Sequence, residues 1–93
     1  MKQIRIFYLE TCPYCQKAKK AYAELLEEKP AYGEIEAEWI EESRYPEIAD
    51  RYDYYRVPTI FWGDKKLYEA FLLQDYAAIK QSVRDALDEV LGG

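Results

Sequence analysis

The 93-residue chain has no histidine and only two cysteines. Each shortage excludes chemistry. Without imidazole there is no histidine base or proton shuttle, and a common zinc ligand is missing. Two cysteines are too few for a disulfide-stapled secreted scaffold. No apolar run approaches the roughly 20 residues of a membrane-spanning helix. The opening Met1-Lys2-Gln3-Ile4-Arg5 runs straight into a short strand pattern, with no hydrophobic signal core. Positive charge is also scarce: 13 Lys and Arg against 18 Asp and Glu leave a net charge of −5. Nonspecific nucleic-acid binding needs the opposite, a basic footprint. The expectation is a protein of the reducing cytoplasm that binds neither nucleic acid nor membrane. Its acidic surface is solvated, with some bias toward basic partners.

Apolar residues make up 49% of the chain, which suits a packed core rather than disorder. The length fits one small domain over residues 1–93, burying about 60–65% of its unfolded surface. Ten tyrosines are many for this length. They either fill a small core or line a binding rim, and both readings stay open.

The two cysteines fall together in Thr11-Cys12-Pro13-Tyr14-Cys15, between an apolar run and a helical pattern. Random placement would give this spacing about 2% of the time. At a helix N-terminus, residues three apart share a face, so the two sulfurs can meet. The first sulfur then lies beside unpaired N–H groups and the positive end of the helix dipole. Both favour a thiolate, the attacking species. Pro13 sits in the first turn, where a missing N–H costs nothing. A dithiol/disulfide redox centre is the leading reading. A metal site would need two chains, because zinc normally takes four ligands. An inert structural pair is the third reading.

Along the chain, Gln3 to Leu9 reads as a buried strand that delivers Cys12 to its C-terminal end. Pro13 to about Lys29 reads as a helix with Cys15, Ala18, Tyr22, Leu25 and Leu26 on its apolar stripe; Pro30 and Gly33 stop it. Glu34 to Ile40 alternates as a second strand. Ser43 is the expected N-cap of a short helix, about Tyr45 to Tyr52, with Pro46 in its first turn. A loop over Asp53 to Arg56 carries Tyr54 and Tyr55. A third strand runs from Val57-Pro58 to Trp62; Pro58 must open it, and the Val57–Pro58 bond is a candidate for cis. Gly63-Asp64 turns into a hairpin partner, Lys65 to Tyr68. A last helix spans about Leu73 to Leu91. The order β-α-β-α-β-β-α predicts an α/β fold: a four-stranded mixed sheet with three helices on its faces.

These residues resemble the glutaredoxin branch of the thioredoxin superfamily over essentially the whole length. The motifs are Cys12-Pro13-Tyr14-Cys15 after the first strand and Val57-Pro58 opening the third. The resemblance implies a thioredoxin-like fold, with Cys12 as exposed nucleophile and Cys15 as resolving thiol. It implies that Pro58 is cis and faces the pair, with Pro13, Tyr14, Val57 and Pro58 bordering the substrate groove. The Val57 backbone would pair with an extended substrate segment.

Several positions depart from the family pattern. Glutaredoxins usually carry a lysine where this chain has Leu9, two glycines where it has Tyr68 and Glu69, and an acid near Phe71. Thr59 is more like thioredoxins, but Ile4 and Ile6 occupy the region of the thioredoxin buried acid. Arg51 and Arg56 are candidates to replace the missing lysine, with plain surface solvation as the alternative. The function implied is a thiol–disulfide oxidoreductase acting on a disulfide-containing protein partner, as a monomer with no bound cofactor or metal. Glutathione or a thioredoxin-reductase-like flavoenzyme would re-reduce it, with weakened dependence on glutathione. The alternatives are a non-catalytic peptide-binding module and a dimer-bridged metal or iron–sulfur carrier.

Overall fold

In the computed structural model, which describes residues 2–93, eight elements follow one another. They are β1 (Gln3–Tyr8), α1 (Pro13–Glu28), a 3-10 turn (Pro30–Glu34), β2 (Glu36–Glu41), α2 (Pro46–Ala49), β3 (Thr59–Trp62), β4 (Lys65–Glu69) and α3 (Tyr76–Gly92). The strands form one sheet in the order β2-β1-β3-β4. β1 runs parallel to β2 and antiparallel to β3, and β3 is antiparallel to β4. The expected mixed α/β sheet is therefore present, with a thioredoxin-like arrangement of helices. No helix among the described residues is long and apolar enough to cross a membrane.

Period-two alternation along β1 decides what each face of the sheet meets. Ile4 and Ile6 pack with Ile60 of β3 against Leu25 of α1 and Ile79, Val83, Leu87 and Val90 of α3. Phe7 faces the other way and packs with Ile40 and Phe61. Only the single helical turn of α2 lies on that side, so rings complete the cover. Phe7 stacks on Tyr54 at 5.0 Å, and Tyr52 lies 4.9 Å from Phe7 and 4.8 Å from Phe61. Half-buried Val57 joins this cluster. The aromatic cover thus anchors the loop before Pro58 to the strand that leads to Cys12.

The two tryptophans lie elsewhere. Trp39, on β2, packs edge-on against Tyr8 at 5.8 Å and Tyr22 at 5.6 Å. Trp62 ends β3, and Gly93 lies against its ring so closely that a Cβ there would come within 2.5 Å. Lys2 donates to the carbonyls of Val90 and Leu91 at 2.7 and 3.1 Å, satisfying groups that the end of α3 leaves unpaired.

Several boundaries differ from the sequence expectation. The second strand starts at Glu36, because Pro30–Glu34 winds into a 3-10 turn that buries Tyr32. The second helix is only Pro46–Ala49 and lacks a side-chain cap; the Ser43 hydroxyl is drawn instead to the Glu41 carboxylate, at 2.5 Å. β3 begins at Thr59, after the proline, and the Pro58 carbonyl accepts from the Ala70 N–H at 3.0 Å. The last helix begins at Tyr76, capped by Asp75, which accepts from the Ala78 N–H at 2.8 Å. Leu73 cannot begin it, because its φ of 67° is left-handed. The register of β4 shifts between its pairings with Ile60 and Phe61, which leaves Leu67 unpaired as a bulge. Neighbouring Leu67 and Tyr68 then both pack into the larger core.

Candidate active site

Cys12 is placed by two elements. β1 ends at Tyr8, and a tight turn follows in which the Cys12 N–H donates to the Leu9 carbonyl at 3.2 Å. Cys12 is then the N-cap of α1, with extended backbone (φ −83°, ψ 120°) and Pro13 in the first turn. Its sulfur fills the capping role of a hydroxyl or carboxylate, accepting from the Cys15 N–H at 3.4 Å. It also lies 3.7 Å from the Val57 carbonyl, within reach of its S–H.

Cys15 sits one turn inside α1 and is fully buried, while Cys12 is half-buried. Both are free thiols, and the two residues approach within 3.2 Å. The Leu9 N–H reaches the Cys15 sulfur at 3.5 Å. Burial pushes the Cys15 thiol up to about 12; the Leu9 N–H opposes that shift, and the neighbouring Cys12 adds to it. One thiol is therefore held protonated beside another that meets solvent and helix amides.

The Val57–Pro58 bond is cis, and Pro58 is buried. The segment before it is fastened from below. Glu69 Oε2 accepts from the N–H groups of Tyr55 at 2.5 Å and Arg56 at 2.8 Å. Lys66 pairs with Glu69 Oε1 at 2.8 Å, and the Thr59 hydroxyl donates to the Arg56 carbonyl. Burial opposes the Glu69 charge, but Lys66 and the two amides outweigh it and hold the carboxyl below its ordinary value.

Glu69 is therefore a loop fastener, not an uncompensated charge turned toward a ligand. Tyr68 is likewise tucked inside, donating to Gln74 Oε1 at 2.7 Å, so its bulk stays out of the groove. Arg51 lines a hollow with Arg5, Phe61 and Gly63 rather than replacing a lysine at the cysteines.

A third segment closes the rim. Phe71, Leu72 and Leu73 are exposed by 58%, 63% and 94%. Their loop is held from within by buried Gln74, whose Oε1 also accepts from the Phe71 N–H at 3.3 Å. From the motif side, the Tyr14 hydroxyl accepts from the Leu73 N–H at 2.8 Å. Three exposed apolar side chains therefore share a loop that is fastened to the Cys12-Pro13-Tyr14-Cys15 segment. The structure thus brings Cys12, Tyr14 and Val57 to one rim, with Cys15 buried behind Cys12 and Pro13 exposed on the edge. The roles of Glu69, Gln74 and the left-handed Leu73 had no signal in the sequence beyond the residue types themselves. Among the described residues no group of three or more His, Cys, Asp or Glu side chains converges as a metal site.

Comparison with solved structures places this arrangement among known folds. The chain is similar to a malarial protein at 15% identity and a TM-score of 0.60, over 91% of this chain and 96% of that one. It is also similar to a mutant thioredoxin from Halobacterium salinarum NRC-1, at 23% identity and a TM-score of 0.57, over 91% of this chain and 74% of that one. At such identities the likeness concerns the fold. No curated protein matches the sequence. A family model described as "Thioredoxin domain" matches residues 2–69, from β1 through β4 with both cysteines and the cis proline. The chain belongs to the thioredoxin-domain family.

Proposed function

We propose that the protein is a thiol–disulfide oxidoreductase of the glutaredoxin-like kind, reducing disulfides in protein partners through Cys12 and Cys15. The observation that carries the reading is the asymmetry of the pair. Cys12 caps a helix at the surface, while Cys15 is buried and held protonated, with a pKa near 12, within 3.2 Å of it.

The chemistry is exchange at sulfur. The Cys12 thiolate attacks one sulfur of the substrate disulfide, and the S–S bond breaks as a Cys12–substrate bond forms. The departing thiolate takes a proton from solvent. Cys15 then loses its proton and attacks the Cys12 sulfur, which releases the second substrate thiol and closes Cys12–Cys15. Two electrons have passed from the pair to the substrate.

In this reading Pro13, Tyr14, Val57 and Pro58 border the bound substrate, and the Val57 main chain pairs with an extended segment of it. The apolar Phe71-Leu72-Leu73 loop supports a macromolecular disulfide over a small one. Re-reduction comes from glutathione or a thioredoxin-reductase-like flavoenzyme. Leu9 offers no cation to a glutathione carboxylate, and the exposed apolar loop offers no polar cradle. Both favour the flavoenzyme. The setting is the cytoplasm, where such a pair is kept reduced.

The test is turnover of a protein disulfide, with the oxidised pair re-reduced by glutathione alone or by thioredoxin reductase with its nicotinamide cofactor. Cys12→Ser should abolish turnover with either reductant. Unchanged activity in that variant would sink the reading and leave a binding module.

A further inference from the structure

The turn that carries Cys12 is held by a residue outside the motif. Glu41, the last residue of β2, is 6% exposed although it is a carboxylate. Its Oε2 accepts from the Glu10 N–H at 3.0 Å. Its Oε1 accepts from the Ser43 N–H at 2.7 Å and from the Ser43 hydroxyl at 2.5 Å. One buried carboxylate therefore bridges two separate loops, the one leading to Cys12 and the one leading to α2. Hydrogen bonds keep it ionised: the Ser43 hydroxyl first and the Glu10 N–H next lower it to about 2, against the opposing effect of burial.

The other polar group of the Glu10 backbone is also held. Gln16 Nε2 donates to the Glu10 carbonyl at 2.6 Å. With the Cys12 N–H on the Leu9 carbonyl at 3.2 Å, four main-chain groups of this four-residue turn are fixed. The Cys12 sulfur sits at the end of that turn and must meet the Cys15 N–H at 3.4 Å to act as the N-cap. A carboxylate suits this link because both its oxygens accept. A glutamine would offer an oxygen to one loop and an N–H to the other, where it would face a donor.

We propose that Glu41 is a positioning residue for the dithiol: its carboxylate fixes the Leu9–Cys12 turn and thereby sets the reactivity of the Cys12 sulfur and the dithiol–disulfide balance. The proposal deepens the redox reading. Alkylation of Cys12 needs no substrate, so a protein that reduces no disulfide would sink that reading and leave this one open to its own test.

The experiment compares Glu41→Gln, Gln16→Ala and Ser43→Ala with the parent. Cys12 alkylation at pH 7 is followed in a Cys15→Ser background. The dithiol–disulfide equilibrium against dithiothreitol and the unfolding midpoint are measured with both cysteines present. Glu41→Gln should slow alkylation about threefold to tenfold, because the Cys12 sulfur is no longer held at the Cys15 N–H, and move the equilibrium constant by at least about threefold, roughly 15 mV. Gln16→Ala, which frees the other side of the same turn, should act in the same direction and more weakly. Ser43→Ala removes only a donor from the far loop; it should lower stability and leave both Cys12 readouts within about twofold of the parent.

The proposal is overturned if Glu41→Gln and Ser43→Ala lose stability alike while alkylation and equilibrium stay at parental values in both. Glu41 would then be a loop anchor only. Should Glu41→Gln fail to fold, Gln16→Ala decides, and parental reactivity there overturns the proposal.

Discussion

The hydroxyl of Tyr14 accepts a hydrogen bond from the main-chain N–H of Leu73 at 2.8 Å, joining the cysteine motif to the loop after β4. Leu73 is 94% exposed and has a φ of 67°, a conformation that suits glycine far better than leucine. The loop therefore carries a local cost and presents an apolar side chain to solvent at the same time.

The cost and the contact can be separated by substitution. Leu73→Gly should leave stability unchanged or raise it by up to about 1 kcal/mol, because glycine adopts this φ freely. It should also raise KM for a protein disulfide severalfold while leaving turnover of a small aromatic disulfide as it was. Denaturant unfolding and the two assays check this. Equal effects on both substrates would show that the loop does no docking.

Cys15 should be chemically silent on its own. With its thiol pushed up to about 12 by burial, a Cys12→Ser protein should alkylate negligibly at pH 7. The rate should climb about tenfold per pH unit while thiolate remains the minor form. The sign for stability follows: the folded state favours the protonated thiol. That contribution is complete below the unfolded pKa of about 8.5 and is lost as pH rises toward 12. Rapid neutral alkylation of Cys12→Ser would show that Cys15 is not shielded.

Acid should act through Glu41. Its carboxyl is lowered to about 2, first by the Ser43 hydroxyl and next by the Glu10 N–H. Its contribution is therefore present above the unfolded value of about 4.3 and is lost as pH falls toward 2. Urea midpoints measured from pH 6 to pH 2 should fall less steeply for Glu41→Gln than for the parent. Parallel curves would assign the acid sensitivity to other carboxylates.

Phe7 tests the aromatic cover. It is fully buried between Tyr52, Tyr54 and Phe61, so Phe7→Ala should cost about 3–5 kcal/mol in chemical unfolding. Amide exchange at Tyr54 to Val57 should rise more than exchange along α3, because the cover anchors that loop while α3 packs on the opposite face. Uniform acceleration across the chain would mean that the loop gains nothing particular from Phe7.

Much of the fold was legible because its signals are local. The nearly continuous apolar run from Ile4 to Leu9, the stripe of Cys15, Ala18 and Leu25, and the Cys-x-x-Cys seam each declare themselves within one element. Failures came where one particular polar contact, near or distant in the chain, decides the outcome. Ser43 reads as a helix cap until Glu41 claims its hydroxyl. Leu73 continues an apolar pattern into α3, yet Asp75 is the true cap, and the bond to Tyr14 lies 59 residues away in sequence. At Tyr68 and Glu69, just past the bulge at Leu67, the ring turns inward and the carboxylate holds the Tyr55 and Arg56 amides. The site was readable as a pair of thiols. The side chains that hold the surrounding loops, Glu41, Glu69 and Gln74, were not, because polar links between loops leave no periodicity in sequence.

The placement of the two tryptophans has an optical consequence. Trp62 ends β3 against Gly93, at the far end of that strand from Pro58. Trp39 lies opposite Ile6 and packs on Tyr8 and Tyr22, while the residue inside the motif is a tyrosine. Neither indole belongs to the rim formed by Cys12, Tyr14 and Val57, so closing the Cys12–Cys15 bond should leave intrinsic tryptophan emission nearly unchanged. The oxidation state of this protein has to be followed by mass or by a thiol label rather than by its own fluorescence.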